Sequence, residues 1–141
     1  MELAVTADAS DGQLDTGMRV RRSVLGDEFV DASLARRSDF AAAFYDYVTR
    51  SVWSEVWGRD GLDRRTRSCI TLAILTALGR QDEIELHTEV AVRNGLGPSE
   101  IAEVILHSAA YAGVPLARGA MQAAERTLDR LGALDGGRSE H

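Results

Sequence analysis

Residues 64–79 read RRTRSCITLAILTALG, and they constrain the fold more than any other stretch of the chain. Beyond the first turn nearly every position around this segment is apolar, and a helix apolar on all sides needs neighbours on all sides. CITLAILTALG is only about half of the roughly 20 residues that a bilayer span requires. The segment therefore reads as the central buried helix of a helical bundle. Asp63 is placed to cap its first turn and Gly79 to end it.

The neighbours follow from the same periodicity, which is helical almost throughout from Arg19 onward. GDEFVDASLARR gives a short amphipathic helix after Gly26. Ser38 can cap DFAAAFYDYVTRSVWSEVW, where Phe40, Phe44, Tyr47 and Val48 form a stripe expected to face inward. After the central helix, Asp82 can cap a helix that stops at RNGLG, with Gly95 suited to a left-handed end. GPSEIAEVILHSAAYAG begins afresh at Pro98 and Ser99, and Pro115 suits the first turn of the last helix, PLARGAMQAAERTLDRL. No strand pattern or repeat competes. The expectation is an all-α, single-domain bundle of about six helices over residues 18–132, preceded by a disordered acidic arm (1–17) and followed by a frayed tail (133–141).

Composition excludes several functions. A net charge of -6 and a pI near 5.0 oppose nucleic acid and anionic membrane surfaces as partners. The acidic start lacks the basic and apolar segments of a signal peptide, which makes a cytoplasmic setting the expectation. The single cysteine, Cys69, allows no intrachain disulfide and no Cys-x-x-Cys pair. All 16 basic residues are arginine. Without lysine there is no Schiff base and no lysine-anchored pyridoxal phosphate. His87, His107 and His141 show no metal-ligand spacing, so neither metal nor cofactor is expected.

Candidate functional groups stand out against this background. In LHTEVAVRNG, His87 is flanked at helical spacing by Ile84, Leu86, Val90 and Ala91, so its ring should point inward, with Glu83 one turn earlier. Arg64 and Arg65 crowd the first turn of the central helix, where helix N–H groups already favour an anion. They can bind an anionic substrate or pair with Asp60, Asp63 or a neighbouring subunit. Glu55 lies between Trp53 and Trp57, a setting that can raise a carboxyl pKa and make it an acid, or leave it a solvated helix position. His107 and Tyr111 share a helix face and can line a pocket or simply pack.

GMRVRRSVLGDEFVD, WSEVWGRDGLDRRTRSCITLAIL and ELHTEVAVRNGLGPSEIAEVILHSAAYAGVP, in that order and spacing, resemble the carboxymuconolactone decarboxylase family from about Gly17 to Leu131. The wider family includes alkylhydroperoxidase-like redox proteins of the same helical fold. Those carry a Cys-x-x-Cys pair whose positions fall here on Arg80 and Glu83, and Ser68 stands near the place of their glutamate relay. The resemblance therefore implies the lyase branch: cofactor-free decarboxylation of 4-carboxymuconolactone to the β-ketoadipate enol-lactone in protocatechuate catabolism. It also implies a homo-oligomer, a trimer or hexamer. In that setting His87 would do the proton work with Glu83 and Glu55 as further catalytic candidates, while Arg64, Arg65, His107 and Tyr111 would hold substrate. The alternatives are an alkylhydroperoxidase-like redox protein and a non-catalytic helical assembly module.

Overall fold

The computed structural model describes residues 2–134, with side chains from residue 9 onward. Helices account for almost all of it, in two compact units that meet in sequence at Leu62 and Asp63. The domain expected over residues 18–132 takes in parts of both units. Among the described residues no helix is long and apolar enough to cross a membrane.

The first unit contains α1 (Glu2–Leu25), α2 (Asp27–Ala35), α3 (Ala42–Val48) and a π-helical continuation of α3 (Thr49–Trp57). The segment expected as a disordered arm is, from Glu2, the first part of α1. Gly17 lies so close to the π-helical segment that a Cβ there would stand 2.0 Å from the Thr49 carbonyl oxygen. Arg22 bridges to Asp27 at 3.1 Å and to Asp31 at 2.8 Å, fastening the end of α1 to α2.

Ser38 does not cap the next helix as expected: it accepts a hydrogen bond from the Ala41 N–H at 3.3 Å in the turn before α3, whose N-cap is Ala41 with no side-chain cap. The inward stripe is a different one from that expected. Phe40 is 99% exposed, Phe44 and Tyr47 also face out, and Val48 is half-buried. Thr49, Trp53 and Trp57 face in, the indoles 5.7 Å apart. Two tryptophans bring more apolar area to the interior than the phenylalanine and tyrosine row. The wider i→i+5 turn, seen where the Gly58 N–H donates to the Trp53 carbonyl at 3.0 Å, changes the period of the buried face.

The second unit contains α4 (Arg64–Leu78), α5 (Gln81–Arg93), α6 (Pro98–Ala112) and α7 (Val114–Arg130). The caps of α4 are those expected. Asp63 Oδ1 accepts from the Thr66 N–H at 2.7 Å, and Gly79 closes the helix at φ 71°. Within this chain, however, α4 is buried along one row only, Ser68, Leu72 and Thr76, while Ile70, Ile74 and Leu78 are exposed. The helix is apolar on more sides than its own chain covers. The α5 helix begins at Gln81, one residue before the expected cap; Asp82 sits inside the first turn and accepts two hydrogen bonds from the Arg80 guanidinium.

Leu72, Ile84, Ala91, Ile101 and Ile105 from α4, α5 and α6 close on an alanine-rich face of α7, formed by Ala117, Ala120, Ala123 and Ala124. Arg126–Glu85 (3.1 Å) and Arg130–Glu89 (3.3 Å) tie α7 to α5 along the rim. Two buried hydroxyls turn back on their own helix backbone, Thr76 to Leu72 O at 2.7 Å and Thr127 to Ala123 O at 3.1 Å. Of the expected frayed tail, Ala133 and Leu134 pack against this core, and residues 135–141 lie outside the described residues.

Candidate active site

The buried face of α5 is set by Ile84, Thr88 and Ala91, and His87 lies beside it. Its side chain is 14% exposed, its Nδ1 is buried with no hydrogen-bond partner among the described residues, and its Nε2 is 3.9 Å from Glu83 Oε2. Glu83 also lies 4.0 Å from the Arg80 guanidinium. Burial pushes the imidazole below its ordinary pKa of 6.5, and the Glu83 carboxylate opposes that shift without overcoming it. The ring is therefore neutral at pH 7, and its protonated form is a stronger acid than a free imidazolium.

At the start of α4, Arg65 donates to the Gly95 carbonyl and pairs with Glu100. Glu100 turns its other oxygen to the Gly97 N–H at 3.3 Å, capping α6. The Gly97 N–H and the Arg65 guanidinium together hold the Glu100 carboxyl below the usual carboxylate range. Deeper in, the Asn94 side chain donates to the buried Ser68 hydroxyl at 2.9 Å. These contacts fix the α5–α6 turn, with Gly95 at φ 96°, against the first turns of α4. Arg64, its neighbour, is half-buried.

Along the other side of α4, a groove of about 440 Å³ is lined by Ala73, Ala77, His107, Ser108, Tyr111 and Ala112. A contiguous hollow shares Ala73, His107 and Ser108 and adds Cys69 and Glu103. The rings of His107 and Tyr111 lie 5.3 Å apart at 40°, both exposed. Cys69 is half-buried, and burial pushes its thiol pKa up. His87 is not among the residues lining this groove. Glu55 belongs to the first unit: it is exposed and accepts a hydrogen bond from Gln13 Nε2 at 3.3 Å, while the flanking indoles turn inward. A carboxyl set among indoles is therefore absent at this position.

The structure thus brings His87 to Glu83 and His107 to Tyr111, and it gives Arg65 two partners. The contacts Arg65–Glu100 and Ser68–Asn94 escaped sequence reasoning, because nothing local links residues 35 and 26 positions apart. The groove did leave a signal, in the row Cys69, Ala73 and Ala77 of small residues one turn apart. Among the described residues no group of three His, Cys, Asp or Glu side chains could hold a metal ion.

Residues 42–126 match the sequence profile of the Carboxymuconolactone decarboxylase family. Over 116 residues the chain is 44% identical to 4-carboxymuconolactone decarboxylase of Acinetobacter baylyi, covering 82% of this chain and 87% of the relative. It is 35% identical over 132 residues to nitrosuccinic acid decarboxylase of Metarhizium robertsii, covering 90% and 92%. A shorter match, 50% identical over 36 residues, covers 26% of this chain and 75% of a 4-carboxymuconolactone decarboxylase sequence from Pseudomonas putida.

Proposed function

The chain belongs to the carboxymuconolactone decarboxylase family, and from that premise we propose that it is a cofactor-independent carboxy-lyase acting on 4-carboxymuconolactone. The product in this reading is the β-ketoadipate enol-lactone of protocatechuate breakdown. The observation that carries it is His87, a largely buried imidazole beside Glu83, in a chain 44% identical to a relative named for this reaction.

The chemistry suits a protein without lysine. The carboxylate that leaves stands on the ring carbon bonded to the lactone oxygen, next to the ring double bond. As the bond to carbon dioxide breaks, its electron pair moves through that double bond onto the lactone carbonyl. The dienolate formed then takes a proton at the ring carbon beside the carbonyl. The substrate is its own electron sink, so the protein has to bind anions, stabilise the growing oxyanion and supply the proton. His87 supplies the proton in this scheme, with Glu83 near enough to make the imidazolium accessible. Arg64 and Arg65 are the ligands for substrate carboxylates, which for Arg65 means exchanging or sharing Glu100. His107 and Tyr111 are assigned to substrate contacts, and Glu55 receives no step.

Cys69 supports this reading over a thiol redox protein, because a thiol with a raised pKa carries little of the reactive thiolate. The exposed rows Ile70, Ile74, Leu78 and Phe40, Phe44, Tyr47 support a homo-oligomer, a trimer or hexamer, in which other copies cover them. A cytoplasmic setting completes the reading.

The experiment is carbon dioxide release from fresh 4-carboxymuconolactone by purified protein, with chelator and no added cofactor, compared with His87→Ala. Release by the wild type and its loss in a folded variant are the expected results. Release by both would remove His87 from the chemistry, and release by neither would favour an assembly module.

A further inference from the structure

Two rows run side by side along the exposed side of α4. Ile70, Ile74 and Leu78 leave 42%, 53% and 69% of their surface in water. Cys69, Ala73 and Ala77, each one residue earlier, line the groove and hollow shared with α6. Branched side chains thus stand beside small ones on the same four-residue repeat. Such a face complements itself when the helix is reversed, because each large residue meets the place of a small one. Reversal about an axis between Ala73 and Ile74 sets Ile70 of a second copy over Ala77, its Ile74 over Ala73 and its Leu78 over Cys69.

Charge and area favour that occupant. The first turns of α4 carry Arg64, Arg65 and Arg67, and its last turn carries no charge. A parallel pair would crowd both arginine clusters at one end. An antiparallel pair brings each cluster to the carbonyl end of the other helix, where cations are favoured. With His107 and the 84% exposed Tyr111 from α6, two such faces bury on the order of 1,200 Å² when paired, which reaches the range of about 1,200–2,000 Å² for stable interfaces. We infer that the α4–α6 face pairs with the same face of a second copy about a two-fold axis, through antiparallel α4 helices. This rests on the homo-oligomer proposed above and narrows it, since a two-fold contact belongs to a hexamer and not to a lone trimer. The groove, about 440 Å³, holds more than the isoleucine side chains fill. The second copy therefore roofs it and leaves His107 and Tyr111 their substrate contacts.

The test is cysteine cross-linking of the full chain. Beside a two-fold axis a residue meets its own copy, which a head-to-tail contact does not provide. Ala73→Cys and Ile74→Cys, each combined with Cys69→Ala, should link to themselves under mild oxidation and run mostly as covalent dimers on non-reducing gels. The two variants are independent, so one that fails to fold leaves the other to decide. Wild-type Cys69 is the control: set opposite Leu78 of the second copy, it should stay unlinked. Sedimentation of the wild type should give an even number of subunits. An oligomer in which neither variant links to itself overturns the two-fold contact and leaves the homo-oligomer standing, and so does an odd number of subunits. A monomer removes both. None of these readouts uses the lactone, so the decarboxylase reading is tested separately.

Discussion

The Nε2 of His87 stands 3.9 Å from Oε2 of Glu83, one turn behind it on α5. That separation exceeds a hydrogen bond, so the carboxylate acts on the ring through charge alone. Burial lowers the imidazole pKa and Glu83 raises it, with burial the larger influence. The result is a ring that is neutral at rest and, once protonated, more acidic than a free imidazolium, which suits a reaction that consumes a proton at carbon.

Replacing His87 by Ala should lower the rate of carbon dioxide release by about 10²–10⁴, the usual contribution of a positioned proton donor. Far-ultraviolet circular dichroism should be unchanged, because His87 makes no hydrogen bond that holds α5 in place. Steady-state assays on the two proteins check this.

The pH profile follows from the same pair. If the imidazolium is the working form, kcat/KM should fall as pH rises through the lowered His87 pKa. Glu83→Gln removes the group that raises this pKa, so the falling limb should move to lower pH. Stability runs the other way. The folded pKa lies below the ordinary 6.5, so between the two values the unfolded chain binds more protons. The His87 contribution is complete above 6.5 and is lost as pH falls towards the folded value. Urea titrations from pH 7 to pH 5 should show a shallower loss in His87→Gln than in wild type.

Gly17 and Gly12 make an internal control on α1. A Cβ at Gly17 would stand 2.0 Å from the Thr49 carbonyl oxygen, whereas one at Gly12 meets nothing within 4 Å. Gly17→Ala should destabilise the protein by about 1–3 kcal/mol through overpacking against backbone. Gly12→Ala should stabilise it by about 0.5–1 kcal/mol, the helix preference of alanine over glycine. Paired thermal melts read both.

Ile74 is 53% exposed in the middle of the Ile70–Leu78 row. Ile74→Arg should reduce the mass found by sedimentation while leaving helicity intact, if other copies of the chain cover that row. An unchanged mass would remove α4 from the interface.

What was legible in the sequence was local. Asp63 and Gly79 bound α4 through contacts within a few residues, and apolar spacing around His87 was enough to turn its ring inward. Two kinds of information were not legible. One was the choice between two apolar rows on the same helix, where the π-helical stretch lengthens the period and the tryptophan row takes the interior from the phenylalanine row. The other was pairing at long range. The Arg65–Glu100 contact and the seat of Gly17 on Thr49 depend on helices meeting, which no local pattern records.

A hydropathy profile scores Thr76 and Thr127 as gaps in the apolar faces of α4 and α7. Each instead commits its only donor to the carbonyl four residues back. The surroundings then meet chiefly the methyl group, and the residue behaves towards its neighbours much as valine would. These two positions are polar in name and hydrocarbon in contact, so Thr→Val exchange at them should pass almost unnoticed by the fold.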